Sequence, residues 1–262
     1  MLHVTVYAVS LFRNSEMRAK FLVDMRGVDV LMQSLQSPNS PLFHCAVLAL
    51  SHQARSLLLT SSGWQDSAGS GFTECRAADA GDRDLVFVLD DGFRVDASRR
   101  VLSSSSDVFA AMLGGRFRES TEREVRIPAA ASGAFRTMVT WLHSETSRID
   151  DGPSGLDELC ELLPLLHRFQ IPETVRRRCL LAPLIAAVFD GDECDGKFAR
   201  AYQLLSVYDD VGGLRRDFVV SLFTRQMSLR RRCAAVASVM SAECDVEEFV
   251  SIITAALLGA ID

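Results

Sequence analysis

The chain has 262 residues, 48% of them hydrophobic and 24% charged, enough for a sizeable core and two or three modules. A net charge of −6 and a pI near 5.4 leave no basic field to hold a phosphate backbone, which argues against direct nucleic-acid binding. The seven cysteines are scattered, odd in number and without a CxxC, which argues against a disulfide framework or zinc site and for a reducing cytoplasmic or nuclear setting.

Met1 to Phe12 is apolar but has no positive leading region and no A-x-A-like cleavage site, so it reads as helix. Phe21, Leu22, Met25, Val28, Leu31, Met32 and Leu35 keep helical spacing up to Ser37-Pro38-Asn39-Ser40-Pro41. Ser40 then reads as an N-cap with Pro41 in the first turn of a helix carrying Phe43, Ala46, Val47, Leu50 and Ala54. Residues 60–83 are rich in Gly, Ser, Ala and Asp without apolar periodicity, the composition of a flexible linker. No apolar run approaches the length of a membrane span, so no membrane partner is expected.

From Asp84 the pattern changes. Leu85 to Leu89 is an unbroken apolar strand, Asp91-Gly92 a turn, and a second strand ends near Val95. A helix start at Val101-Leu102, a serine run and a helix with Val108, Phe109, Met112 and Leu113 follow. Glu124 to Pro128 reads as a strand, and Phe135, Met138, Val139 and Leu142 lie on one helical face. After a polar stretch, 144–154, two helices meet at Gln170-Ile171-Pro172. The second carries Arg176-Arg177-Arg178, which reads as a solvated face. Phe198, Tyr202, Leu205 and Tyr208, then Leu214, Phe218 and Leu222, continue in helical spacing, and a last helix runs from about Val246 to Leu258.

Catalytic and metal signatures fail on spacing. In Asp190-Gly191-Asp192-Glu193-Cys194-Asp195-Gly196, position six of a calcium loop is Asp195 instead of Gly, and position twelve is Ala201 instead of Glu. The histidines form no HExxH or paired Cys/His set, Gly114-Gly115 has no downstream Gly-Lys-Ser/Thr, and no G-x-S-x-G occurs. No metal, cofactor or catalytic residue is expected, and the chain reads as a non-catalytic protein.

Three stretches carry a family resemblance: the strand Asp84–Leu89, the run Val95-Asp96-Ala97-Ser98-Arg99-Arg100-Val101-Leu102 with Ser106-Asp107-Val108-Phe109, and the helix pair through Leu162, Leu163, Leu166, Phe169, Ile171, Pro172, Val175 and Cys179. In this order they resemble a BTB (POZ) domain, over nearly a hundred residues. One departure is Ser98, where the family usually has histidine; a serine there can still cap a helix. The resemblance implies a protein-interaction module that dimerises. Phe117-Arg118-Glu119 resembles the apolar-x-Glu loop with which cullin-3-binding members contact the cullin, with Met112 beside it. On residue types alone, Phe117 equally reads as a core residue and Glu119 as a solvated acid or as an acceptor that fixes the loop. Asp84 and Arg99 match a charged pocket near the dimer interface of some members, or form an ordinary surface pair.

Residues 14–55 resemble an armadillo repeat, the alternative being any helical hairpin, and the helices after the domain resemble a BACK extension. The order resembles the armadillo repeat-containing protein 5 family, as the C-terminal part of a longer array. The expected fold is therefore mostly α with an α+β core: an armadillo-like region at 1–60, linker 61–82, BTB domain 83–180 and BACK-like helices 181–262. The resemblance implies a substrate adaptor of a cullin-3 RING ubiquitin ligase, with a protein client held by the armadillo array; the RNA polymerase II large subunit is a proposed client in that family. The alternative is a dimeric scaffold or transcription-related hub without cullin.

Overall fold

In a computed structural model of the protein, the described residues are 20–21, 26–58, 83–115, 117–143, 155–190, 195–209, 213–242 and 244–258. The expected Met1–Phe12 helix, the 61–82 linker and the 144–154 stretch lie outside them. The chain is mostly helical with one small sheet, and helices lie on both sides of the sheet region in sequence. It divides into two compact units that interleave along the chain. One comprises residues 1–70, 191–203 and 215–262; the other comprises 71–190 and 204–214.

The first unit is helical. Helix α1 (Gly27–Leu35) and helix α2 (Pro41–Leu58) form a hairpin, and the Ser40 hydroxyl accepts the Leu42 N–H at 3.2 Å, as the Ser-Pro start requires. Phe43, Ala46, Val47, Leu50 and Ala54 are buried. Within this unit α2 packs on α10 (Leu229–Ser241) and α11 (Val246–Leu258). A second apolar centre stacks Phe198 of α8 (Asp195–Tyr208) on Phe218 of α9 (Gly213–Thr224) at 4.8 Å and sets Tyr202 edge-on to Phe249 at 5.5 Å. Two arginines close the end of the helix that stops at Thr224. Arg55 donates to the Thr224 and Arg225 carbonyls at 3.2 and 2.7 Å, and Arg232 to those of Leu222 and Arg225 at 2.8 and 2.9 Å. These carbonyls have no partner inside a helix, and a cation there also suits the helix dipole. Burial, with Arg55 alongside, lowers the Arg232 pKa to about 10, so it stays charged at neutral pH.

The second unit holds the sheet, ordered β2-β1-β3. Strand β1 (Leu85–Leu89) pairs antiparallel with β2 (Arg94–Ala97) and parallel with β3 (Glu124–Ile127). The hairpin turn is set by Gly92 at φ 80° and by Asp91, whose carboxylate accepts the Phe93 N–H at 2.9 Å. A parallel partner needs a crossover, and helices α3 (Arg99–Ser105) and α4 (Asp107–Leu113) provide it. Strand alternation buries Leu85, Phe87 and Leu89 with Val95, Ala97, Val125 and Ile127.

Helix α5 (Ser132–His143) buries Phe135, Met138 and Val139 of the face expected from spacing, with Leu142 half-buried and Trp141 buried in addition, and packs on α6 (Leu156–Arg168). Four phenyl rings form the centre of this unit. Phe87 lies 6.0 Å from Phe109 and 5.2 Å from Phe135, while Phe169 stacks on Phe109 at 4.6 Å. Helix α6 ends with Gln170 at φ 46°, the Gln170 N–H on the His167 carbonyl and the Ile171 N–H on the Leu166 carbonyl, both at 2.9 Å. This is a Schellman stop, and it turns the chain into α7 (Glu173–Phe189), with Pro172 just ahead of the helix and Glu173 in its first turn.

The reading of Arg176-Arg177-Arg178 as one solvated face needs correction. Arg177 and Arg178 are exposed, but Arg176 is buried and donates to the Tyr208 carbonyl at 2.9 Å, with Asp209 4.0 Å away. The expected side-chain cap at Ser98 is also absent. Ser98 does occupy the N-cap of α3, yet its buried hydroxyl has no hydrogen-bond partner among the described residues. Its backbone N–H instead donates to His143 Nε2 at 2.9 Å, while His143 Nδ1 lies 2.8 Å from the Val139 carbonyl. That pattern requires a neutral imidazole with its proton on Nδ1. Burial pushes the His143 pKa below the usual histidine range; the Val139 bond opposes this and Arg83 adds to it.

Candidate interaction loop

The loop after α4 begins where that helix closes on Gly114-Gly115. Gly115 has φ 98°, a left-handed conformation that redirects the chain at little cost only for glycine. Phe117 follows in extended backbone and leads into a single 3-10 turn, Arg118–Ser120, which packs against α4.

Phe117 is 56% exposed, so the core-packing alternative does not describe it. Arg118 is exposed and pairs with Glu122; Met112 and Glu119 are half-buried. The carboxylate of Glu119 accepts no hydrogen bond among the described residues, so it does not fix the loop. The main chain does that. The Phe117 carbonyl accepts from the Ser120 N–H at 3.1 Å and the Ser120 hydroxyl at 2.7 Å. The Arg118 carbonyl accepts from the Thr121 N–H and hydroxyl at 3.2 and 3.1 Å.

Arg99 takes the remaining load. Its Nη1 donates to the carbonyls of Glu119 at 2.9 Å and Ser120 at 3.0 Å, and its Nη2 to that of Glu122. Asp84 receives the Arg99 backbone N–H on Oδ1 at 2.9 Å, and its Oδ2 stands 3.7 Å from Arg99 Nε. The Arg99 side chain is 19% exposed and that of Asp84 53%. Within the chain the two acidic and basic groups therefore form a half-open pair turned onto the loop. Sequence reasoning paired Asp84 with Arg99 but missed the carbonyls, because backbone acceptors have no residue signature.

No group of three or more His, Cys, Asp or Glu suited to a metal occurs among the described residues. No helix among them is long and apolar enough to cross a membrane. The described cysteines, Cys45, Cys160, Cys179, Cys233 and Cys244, are free thiols.

The described part of this unit thus joins a three-stranded sheet, a helical crossover, a closing helix pair and an exposed loop after α4. The BTB/POZ domain family matches residues 78–180, so this part of the chain is a BTB/POZ domain. Among known proteins, the chain is 37% identical over 92 residues to Rho-related BTB domain-containing protein 2 of Mus musculus and of Homo sapiens. That alignment covers 35% of this chain and 12% of each relative. Rho-related BTB domain-containing protein 1 of Mus musculus is 29% identical over 130 residues, 48% of this chain and 18% of the relative. The chain thus spans under a fifth of the length of these relatives.

Proposed function

We propose that the protein is a non-catalytic substrate adaptor of a cullin-3 RING ubiquitin ligase, acting in the cytoplasm or nucleus. The observation that carries this is Phe117: a large apolar side chain more than half exposed, on a loop whose Glu119, Ser120 and Glu122 carbonyls are held by Arg99, in a domain of a protein-interaction family. Burying such a ring in a partner's pocket is worth roughly 1.5–3 kcal/mol. Arg118 and the half-buried Glu119 follow it and supply polar contacts at the rim, with Met112 on the helix that the turn packs against. Domain dimerisation doubles the sites. The armadillo-like helices, α1 and α2, hold the client, and the BACK-like helices after the domain enlarge the cullin contact and space the client from it. Holding a client beside activated ubiquitin raises its effective concentration without any chemistry by the adaptor. The client proposed from the armadillo resemblance is the RNA polymerase II large subunit.

The test is titration calorimetry of the full chain against the cullin-3 N-terminal domain, with Phe117→Ala and Glu119→Ala as controls. Binding that Phe117→Ala abolishes supports the adaptor. A folded, dimeric wild type that does not bind leaves a BTB-mediated scaffold as the function.

A further inference from the structure

We infer that Arg99, held by Asp84, is a positioning residue that sets the affinity of the 117–122 loop for its partner; this deepens the cullin-3 reading and rests on it. Three carbonyls of one short loop converge on a single guanidinium, those of Glu119, Ser120 and Glu122. Guanidinium is suited to this because its planar fork carries five donors in fixed directions; an ammonium on a flexible stem is not. The loop has few other restraints. It contributes no buried residue between Phe117 and Ser120, and its own turn is closed by two backbone bonds, from Ser120 and Thr121. Its remaining links are short-range: hydroxyl bonds from Ser120 and Thr121 and the exposed Arg118–Glu122 pair. Among the described residues, Arg99 is the one whose hydrogen bonds tie it to the start of α3.

Asp84 supplies the other half of the device. Its Oδ1 fixes the Arg99 backbone at the head of α3, and its Oδ2 stands 3.7 Å from Nε, leaving Nη1 and Nη2 to the carbonyls. The residue before β1 thereby orients a loop that follows it by more than thirty positions. With the clamp in place, Phe117 is presented in one arrangement and the partner does not have to order the loop. Without it, the competent arrangement is a fraction of an ensemble, and apparent affinity falls by that fraction.

Two measurements on the full chain separate this inference from the reading beneath it. Hydrogen exchange at the Ser120 and Thr121 amides reads the clamp with no cullin present. Arg99→Ala is expected to speed exchange there by roughly tenfold and leave the amides of β1 unchanged. Calorimetry against the cullin-3 N-terminal domain is expected to show a Kd roughly tenfold weaker. Arg99→Lys keeps the charge beside Asp84 and the backbone bond but not the fork. It is expected to retain the wild-type melting temperature while still losing loop protection and affinity, and it carries the test where the alanine variant does not fold. Unchanged exchange or unchanged Kd in Arg99→Lys overturns the inference. So does equal loss of protection in the loop and in β1, which would make Arg99 a general stabiliser. A wild type that binds no cullin-3 sinks the adaptor reading, while accelerated loop exchange in the variants still establishes the clamp.

Discussion

Phe109 and Phe117 are separated by a helical turn and a glycine pair, yet they meet opposite fates. Phe109 is fully buried, stacked on Phe169 and within 6.0 Å of Phe87. Phe117 stands 56% exposed at the head of a 3-10 turn. Their chemistry is identical, so the difference lies in the backbone. Helix α4 turns Phe109 inward with its N-terminus fixed by Ser106, whose hydroxyl accepts the Phe109 N–H and donates to the Phe169 carbonyl. Gly115 then turns the chain away from the core, and Arg99 holds the loop there. Single exposed hydrophobics are common, so exposure alone says little; what sets Phe117 apart is the polar scaffolding that keeps its loop in place.

The comparison breaks first at the core. Phe109→Ala removes a ring from the four-phenyl cluster and is expected to cost about 3–5 kcal/mol, read as a drop in the urea midpoint. A loss under about 1 kcal/mol would mean that the cluster collapses onto the gap and that Phe109 is no anchor.

The next effect lies at the junction of α5 and β2. His143→Ala leaves the Ser98 N–H without its acceptor, for an expected loss of about 1–3 kcal/mol. The pH dependence has a definite sign. The folded pKa of His143 is depressed, chiefly by burial, so its contribution to stability is complete above the unfolded histidine value of about 6.5. It is lost as pH falls through the lower folded value, because a protonated imidazole no longer accepts the Ser98 N–H. His143→Gln, whose amide oxygen can accept that N–H, is expected to flatten the melting-temperature profile on acidification from about 6.5 down to the folded value. An unchanged profile would assign the acid sensitivity to other groups.

A smaller effect sits at the end of α6. Gln170 holds the left-handed position of the Schellman stop, a conformation that costs a side-chain-bearing residue roughly 1 kcal/mol. Gln170→Gly is expected to stabilise the chain by up to about 1 kcal/mol, and a destabilised variant would show that the Gln side chain contributes more than its strain removes.

These positions also show what could be read in advance. The strand from Leu85 to Leu89, the α5 face of Phe135, Met138 and Val139 and the Ser40-Pro41 helix start rest on periodicity and caps, which are local properties of sequence. Arg176 was not legible as buried: neighbours on a helix point about 100° apart, so a run of three arginines cannot share one environment, and which of them turns inward depends on where Tyr208 and Asp209 lie. The Ser98–His143 bond spans 45 positions and uses a backbone donor. The Arg99 clamp uses three backbone acceptors. Contacts of that kind follow from the assembled fold and leave no mark in residue identity. For the loop, sequence therefore offered the candidate side chains, Phe117 and Glu119, and the structure added what holds them in place.

The smallest expected change in stability is the most informative for function. Phe117→Ala removes a ring that is mostly in water, so the folding free energy is expected to move by no more than about 0.5 kcal/mol. On the partner side the same deletion removes the apolar anchor, and a central aromatic typically costs 2 kcal/mol or more, a fall of roughly thirtyfold or greater in affinity. The ratio of the two effects is the quantity to measure, in one preparation, by thermal melting and by calorimetry against the cullin-3 N-terminal domain. A core residue such as Phe109 would lose both together, because its binding loss would follow from unfolding. A residue that exists for a partner loses only the second. Equal losses in Phe117→Ala would place its ring in the domain's own packing in solution and return the loop to the structural role from which its exposure separates it.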